Sequence, residues 1–313
     1  MEPVSEGEIE WFTPGGIPCK TWYRVVGELG PLSRLPIIGV HGGPGAGHEY
    51  LSPLYDLYHD GESPIILYDQ VGCGRSTHFR DKLGDASFWT FELFFKELDA
   101  LIEHLDLREI GFHMFGQSWG GTLAGAYAAR RPPCLEKLIL ASAPASFPLY
   151  AEGCRTLLAQ LPEDVRKTIE DCERRGDFES PEFQQASAVF YSRFFCRINP
   201  MPDDVQAGFA NLQNDPTSYL TMCGPSEFTI TGTLKDWRIG DEAKKIEVDT
   251  LLLNAVYDES QDLCIAPWFE GIPRVKWVTL QNSSHMLHWE EREKAMSLCR
   301  SFLLPSDDLD FLV

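Results

Sequence analysis

The chain has 313 residues, 43% of them hydrophobic, enough to build one large core or a core carrying a smaller inserted unit. With 47 acidic against 27 basic side chains it carries a formal charge of -20 and a pI near 4.7, a balance that repels nucleic acid and anionic membrane and attracts a cationic ligand. The nine cysteines are odd in number, scattered and free of any C-x-x-C pair, and the acidic start has no apolar stretch, so the expectation is a soluble, intracellular (cytoplasmic) protein with free thiols and no signal peptide or membrane span.

In chain order, residues 8–13 and 21–26 alternate as two strands around a Pro-Gly-Gly turn, and residues 36–40 form a short, wholly apolar strand. Such continuous apolar runs suit a sheet covered on both faces. That strand feeds the loop H-G-G-P-G at 41–45. A helical segment over 50–59 and a strand over 64–68 follow, ending in D-Q-V-G-C-G-R-S at 69–76. Residues 88–107 read as a long amphipathic helix, with Phe91, Phe94, Phe95, Leu98, Leu101, Ile102 and Leu105 spaced by threes and fours for core packing. An apolar strand over 110–115, a small-residue helix over 122–129 and a buried strand over 135–141 complete the first half.

Alternation then stops. Residues 147–237 are charge-rich and helical in pattern, with helices expected over 150–160, 163–175, 181–196 and 205–211. Buried β runs resume at 249–254 and 275–280, followed by a closing helix over 290–303 and a loose tail over 305–313. Strands alternating with helices predict an α/β fold with a mainly parallel sheet. The expected organisation is a core from 1–146 and 238–313, with 147–237 as a helical cap over the carboxyl ends of the strands, where such sheets bind ligands.

Between the strand at 110–115 and its helix lies G-Q-S-W-G, a strand, tight turn and helix of the nucleophile-elbow kind. The flanking glycines let strand and helix pass closely while the Ser118 hydroxyl projects, so Ser118 is the candidate nucleophile. A serine hydroxyl needs a histidine to take its proton and a carboxylate to orient that histidine, in the order Ser, acid, His on this scaffold. Asp258 follows the strand at 249–254 and His285 the strand at 275–280, both at the edge of the sheet where Ser118 emerges. Glu259 is the rival acid and His288 the rival base. Because His285 must be neutral to act, kcat/KM is expected to fall on the acid side within a unit or two of about 6.5. For the oxyanion hole the backbone N–H of Trp119 and that of Gly43 are expected, with Gly42 the fallback. The H-G-G-P-G loop could alternatively be a plain turn or a phosphate cradle, but no G-K-[ST] follows. His41, without spaced partners, reads as structural rather than metal-binding.

H-G-G-P-G at 41–45, L-Y-D-Q-V-G-C-G-R-S at 67–76, G-Q-S-W-G-G at 116–121, G-P-S-E-F at 224–228, Y-D-E at 257–259 and S-S-H-M at 283–286 together resemble the proline iminopeptidase family. This is the α/β-hydrolase group that includes the tricorn-associated aminopeptidase and L-amino acid amidases. The resemblance implies a capped α/β-hydrolase releasing an N-terminal residue, proline or another small or apolar one, from small peptides or amino acid amides through an acyl-enzyme. It implies no metal or organic cofactor. It also implies that Glu227 and Glu259 hold the substrate's ammonium, and a desolvated ammonium does need carboxylate partners. Val71, Cys223, Ser226 and Asn254 depart from the family pattern, leaving the preferred residue open. Two other readings keep the fold: an esterase or specialised small-metabolite hydrolase, and a non-catalytic binding protein. Oligomeric state is not legible.

Overall fold

A computed structural model describes residues 4–30, 33–59 and 63–303; the tail expected at 305–313 lies outside the described residues. Eight strands form one sheet: β1 (Val4–Phe12), β2 (Pro18–Val26), β3 (Ile37–Val40), β4 (Ile65–Tyr68), β5 (Phe112–Gln117), β6 (Leu135–Ala141), β7 (Asp249–Ala255) and β8 (Val275–Leu280). Their spatial order is β1-β2-β4-β3-β5-β6-β7-β8, with β1, β2 and β4 paired antiparallel and every pair from β4 to β8 parallel. The central strands are wholly buried because both faces are covered. Ile38, Ile66, Met114, Leu138 and Leu252 enter one core cluster, while their neighbours Ile37, Ile65, Phe115, Ile139 and Leu251 enter the other. Two-residue periodicity thus divides each apolar run between two cores.

The chain leaves β3 for β4 on one side and reaches β5 on the other, so the β3–β5 boundary is a topological switch point. Crevices at such points, beyond the carboxyl ends of the strands, are where open α/β sheets bind ligands. The loop after β3 carries H-G-G-P-G and the turn after β5 carries Ser118.

Helices α1 (Phe91–His104), α2 (Trp119–Ala128), α8 (Asp262–Gly271) and α9 (Arg292–Leu303) accompany the sheet. Between β6 and β7 lie α3 (Phe147–Leu158), α4 (Glu163–Arg175), α5 (Pro181–Phe194), α6 (Asp203–Asn214) and α7 (Thr217–Met222). Ser146 and Ser180 accept from the backbone N–H groups of Leu149 and Phe183, capping α3 and α5, and each of those helices carries a proline in its first turn. Among the described residues no helix is long and apolar enough to cross a membrane.

Several boundaries differ from the sequence expectation for local reasons. The helix expected over 50–59 is a 3₁₀ segment, Glu49–Tyr55, running into a single turn, Asp56–His59; Pro53 inside it withholds a backbone donor. Helix α1 starts only at Phe91 because Asp85 accepts from the backbone of Ser87 and Phe88 and folds that stretch into turns. It stops at His104 because Asp106 adopts a left-handed conformation, φ 54°. Helices α7 and α8 were not expected: α7 is short, and Pro267 interrupts the apolar pattern of α8. Glu97 interrupts the apolar stripe of α1 yet is fully buried, accepting from Thr21 and from the Val71 N–H.

Candidate active site

Ser118 stands between β5 and α2 with φ 57° and ψ -129°, a strained geometry for a residue with a side chain. The elbow is locked by its backbone, since Ser118 N–H donates to the Ala141 carbonyl and its own carbonyl accepts from Gly121 and Thr122. Glycine is required on both sides. A Cβ on Gly116 would lie 2.5 Å from the Gly120 carbonyl oxygen, and one on Gly120 would collide with the Val40 carbonyl. Ser118 itself stays partly exposed to a pocket that Gly43, Trp119 and His285 also line.

His285 follows β8, and its Nδ1 lies 2.8 Å from Asp258 Oδ1, both side chains fully buried. The Asp258 oxygen also accepts from the Ser260 N–H, which fixes the carboxylate plane. The rival base, His288, instead places Nε2 on the Tyr50 carbonyl at 3.1 Å, and burial lowers its pKa to about 3. It packs behind Tyr50 and is not itself among the residues that line the pocket. The rival acid, Glu259, is buried on the other side of the imidazole, its Oε1 3.7 Å from His285 Nε2. Burial raises the Glu259 carboxyl to about 8, against the pull of His285. Burial likewise opposes charge on His285, but Glu259, Asp258 and Glu227 outweigh it and push the imidazole up to about 9. That lies above the range expected from the sequence, because three carboxyl groups surround one ring.

The fallback oxyanion donor is already engaged: Gly42 N–H donates to the Tyr50 hydroxyl at 2.6 Å. Gly43 is left as the candidate partner of Trp119. It holds φ 108°, and a Cβ there would sit 2.6 Å from the Gly45 nitrogen, so only glycine fits. Tyr50 passes the link on, donating to Gln117 Oε1 at 2.8 Å, while Gln117 Nε2 donates to the His285 carbonyl at 3.2 Å. One chain of hydrogen bonds therefore joins the loop after β3, the elbow and the histidine loop. His41 accepts from Gln70 N–H at Nε2 and uses Nδ1 on the Gly42 carbonyl, so both ring nitrogens are committed to the loop, and burial lowers its pKa to about 4.

Glu227 and Glu259 line the same pocket. Tyr191 and Tyr219 donate to Glu227 at 2.5 and 2.7 Å, and Tyr150 donates to Glu259 Oε1 at 3.1 Å. Glu259 Oε2 is buried without a protein partner. At the end of α5 the Phe194 carbonyl accepts from both Glu259 N–H and His285 N–H, and Phe195 packs its ring on His285 at 5.5 Å. The inserted helices thus hold the loops that carry Glu259 and His285. Sequence reading missed Tyr50, Gln117, Tyr150, Tyr191, Tyr219 and Phe195. Gln117 lies inside the elbow motif and was findable there; nothing local ties Tyr191 to a glutamate 36 residues away. Of the departures, Asn254 bridges Asp262, Trp277 and Thr279, Cys223 lines the pocket with its thiol 3.7 Å from the Gly43 carbonyl, and Val71 offers its N–H to Glu97. The Ser226 hydroxyl is buried without a partner.

The profile of the alpha/beta hydrolase fold matches residues 36–292, and the chain belongs to that class of proteins. It is 36% identical over 281 residues to a proline iminopeptidase of Saccharolobus solfataricus, covering 90% of this chain and 87% of that one. A crystal structure of VinJ superposes with a TM-score of 0.90 at 39% identity, covering 96% of this chain and 98% of that one. The proline iminopeptidase of Mycobacterium smegmatis gives 0.84 at 36% identity, covering 94% and 97%. Within the α/β hydrolases, the chain belongs to the proline iminopeptidase family.

Proposed function

We propose that this protein is a serine aminopeptidase that releases the N-terminal residue of small peptides or amino acid amides bearing a free amine. Ser118 Oγ attacks the scissile carbonyl carbon while His285 Nε2 takes its proton, and Asp258 holds the Nδ1–H tautomer. The carbonyl oxygen becomes an oxyanion facing the N–H groups of Gly43 and Trp119. Collapse breaks the C–N bond, the leaving nitrogen takes the proton from His285, and an ester on Ser118 remains. Water, deprotonated by His285, hydrolyses that ester and regenerates the hydroxyl. Residues 147–237 serve as the cap, supplying Glu227 and the tyrosines that orient the two glutamates.

The observation that carries the reading is the pair of tyrosine-held carboxylates, Glu227 and Glu259, in the pocket that Ser118 lines. An ammonium between them finds the partners its desolvation demands, and an acylated nitrogen does not. The family relatives, named as proline iminopeptidases, support the same direction. The test is a panel of aminoacyl anilides and esters, each with free and acetylated amine, beside labelling of Ser118 by a fluorophosphonate. Turnover confined to the free-amine members supports the proposal, and equal turnover of the acetylated members contradicts it.

A further inference from the structure

The pocket has a second side that offers no cation. His285 must return a proton to the leaving nitrogen, so the departing amine lies on the His285 side of Ser118. Phe195 and Met286 flank His285 there, and α6 continues the wall. Along α6 the pocket-lining residues are Val205, Gly208, Phe209 and Leu212, an i, i+3, i+4, i+7 stripe on a helix otherwise made largely of polar residues. Gly208 lies over the Ala46 carbonyl, where even a Cβ would make only ordinary contact at 3.6 Å, so the stripe roofs the loop after β3. Phe209 and Leu212 are only half-buried, apolar surface turned toward the cavity instead of the core. Among the lining residues the carboxyl and imidazole side chains are Glu227, Glu259 and His285, and there is no Lys or Arg.

We propose that the leaving-group side of this pocket takes an apolar, uncharged amine component, and that a carboxylate directly beside the scissile nitrogen is rejected. The inference rests on the aminopeptidase reading above and names its second specificity. A dipeptide with a free C-terminus would place its carboxylate within two bonds of the leaving nitrogen, under the α6 stripe and close to Glu259, with no cation to pair it. An apolar amide, or a peptide whose second residue is apolar and whose carboxylate lies farther on, would face the apolar wall of Ala46, Val205, Phe209, Leu212, Phe195 and Met286.

The test fixes one N-terminal residue, chosen as the faster of alanyl and prolyl anilide, and compares its leucinamide, its glycinamide and its free-acid leucine dipeptide. kcat/KM for the leucinamide should exceed that for the free-acid dipeptide by about tenfold or more, and should exceed that for the glycinamide as well. Leu212→Lys should narrow the gap between leucinamide and free acid by supplying the missing cation. In the parent enzyme, a free-acid dipeptide cleaved within about threefold of the leucinamide overturns the proposal whether or not the variant folds. Cleavage of the N-acetylated leucinamide as fast as the free-amine compound would instead sink the amine-recognition reading, so the two failures are separable.

Discussion

At the scale of single residues, the site is governed by how many carboxyl groups face one imidazole. His285 has Asp258 on Nδ1 at 2.8 Å and Glu259 3.7 Å from Nε2, with Glu227 adding to the field from the inserted segment. The ring is pushed up to about 9, and in the proposed reaction it must be neutral to accept the Ser118 proton. Inactivation of the free enzyme by a neutral fluorophosphonate should therefore climb with pH through a value well above the ordinary imidazole value of about 6.5. Glu259→Gln removes the carboxylate nearest Nε2 and should move that limb toward lower pH, read from the inactivation rate across pH 5–10. A limb that stays put in the variant would mean Glu259 does not control the base. An ammonium seated at Glu259 opposes the same field, so free-amine substrates should show a lower acid limb than the neutral reagent.

At the scale of elements, the elbow, the loop after β3 and the histidine loop are tied by Tyr50 and Gln117. Tyr50→Phe leaves the Gly42 N–H buried and unpaired, a cost of about 1–3 kcal/mol. Because Gly42 precedes the candidate oxyanion donor, kcat should fall more than KM rises, measured on a free-amine anilide; a change in KM alone would contradict the positioning role. A second element-level consequence concerns Glu97, the acid buried under α1. Burial raises it to about 8 from an ordinary 4.5, so between those pH values the folded chain keeps a proton that the unfolded chain releases. Its contribution to stability is complete below about 4.5 and is progressively lost toward pH 8. Glu97→Gln should raise Tm relative to the parent by an amount that grows between pH 5 and 8 in a thermal melt; a constant difference would show that folding does not raise the Glu97 carboxyl above its ordinary value. The elements themselves were largely legible, because buried β runs and elbow glycines advertise themselves through composition. Glu97 was not, since a charged residue on a helix reads as solvated until the sheet it faces is known. Nor were the tyrosine hydroxyls on the glutamates, whose partners are set by how the inserted helices fold over the sheet.

Across the whole molecule, the charge of -20 creates a field that favours cationic substrates before any contact forms. Raising ionic strength from about 0.01 M to about 0.15 M shortens the screening length from about 30 Å to about 8 Å, so kcat/KM for ammonium-bearing substrates should fall while that for a neutral ester holds. The sheet order was recoverable in kind but not in detail: α/β alternation announced a parallel sheet, whereas the switch point between β3 and β5 emerges only from strand order. The same limit applied to the site, where motif order suggested Ser118, Asp258 and His285 but gave no hint that Phe194 joins the loops of Glu259 and His285. The most direct test of the account is Glu227→Ala, assayed side by side on a free-amine anilide and on a simple neutral ester. Truncating one partner of a desolvated charge pair costs on the order of 2 to 5 kcal/mol, so the anilide should lose tens to thousands of fold in kcat/KM, at about tenfold per 1.4 kcal/mol, with the ester nearly unchanged. Equal losses on both substrates, or no loss on either, would contradict recognition of the substrate's ammonium by this carboxylate.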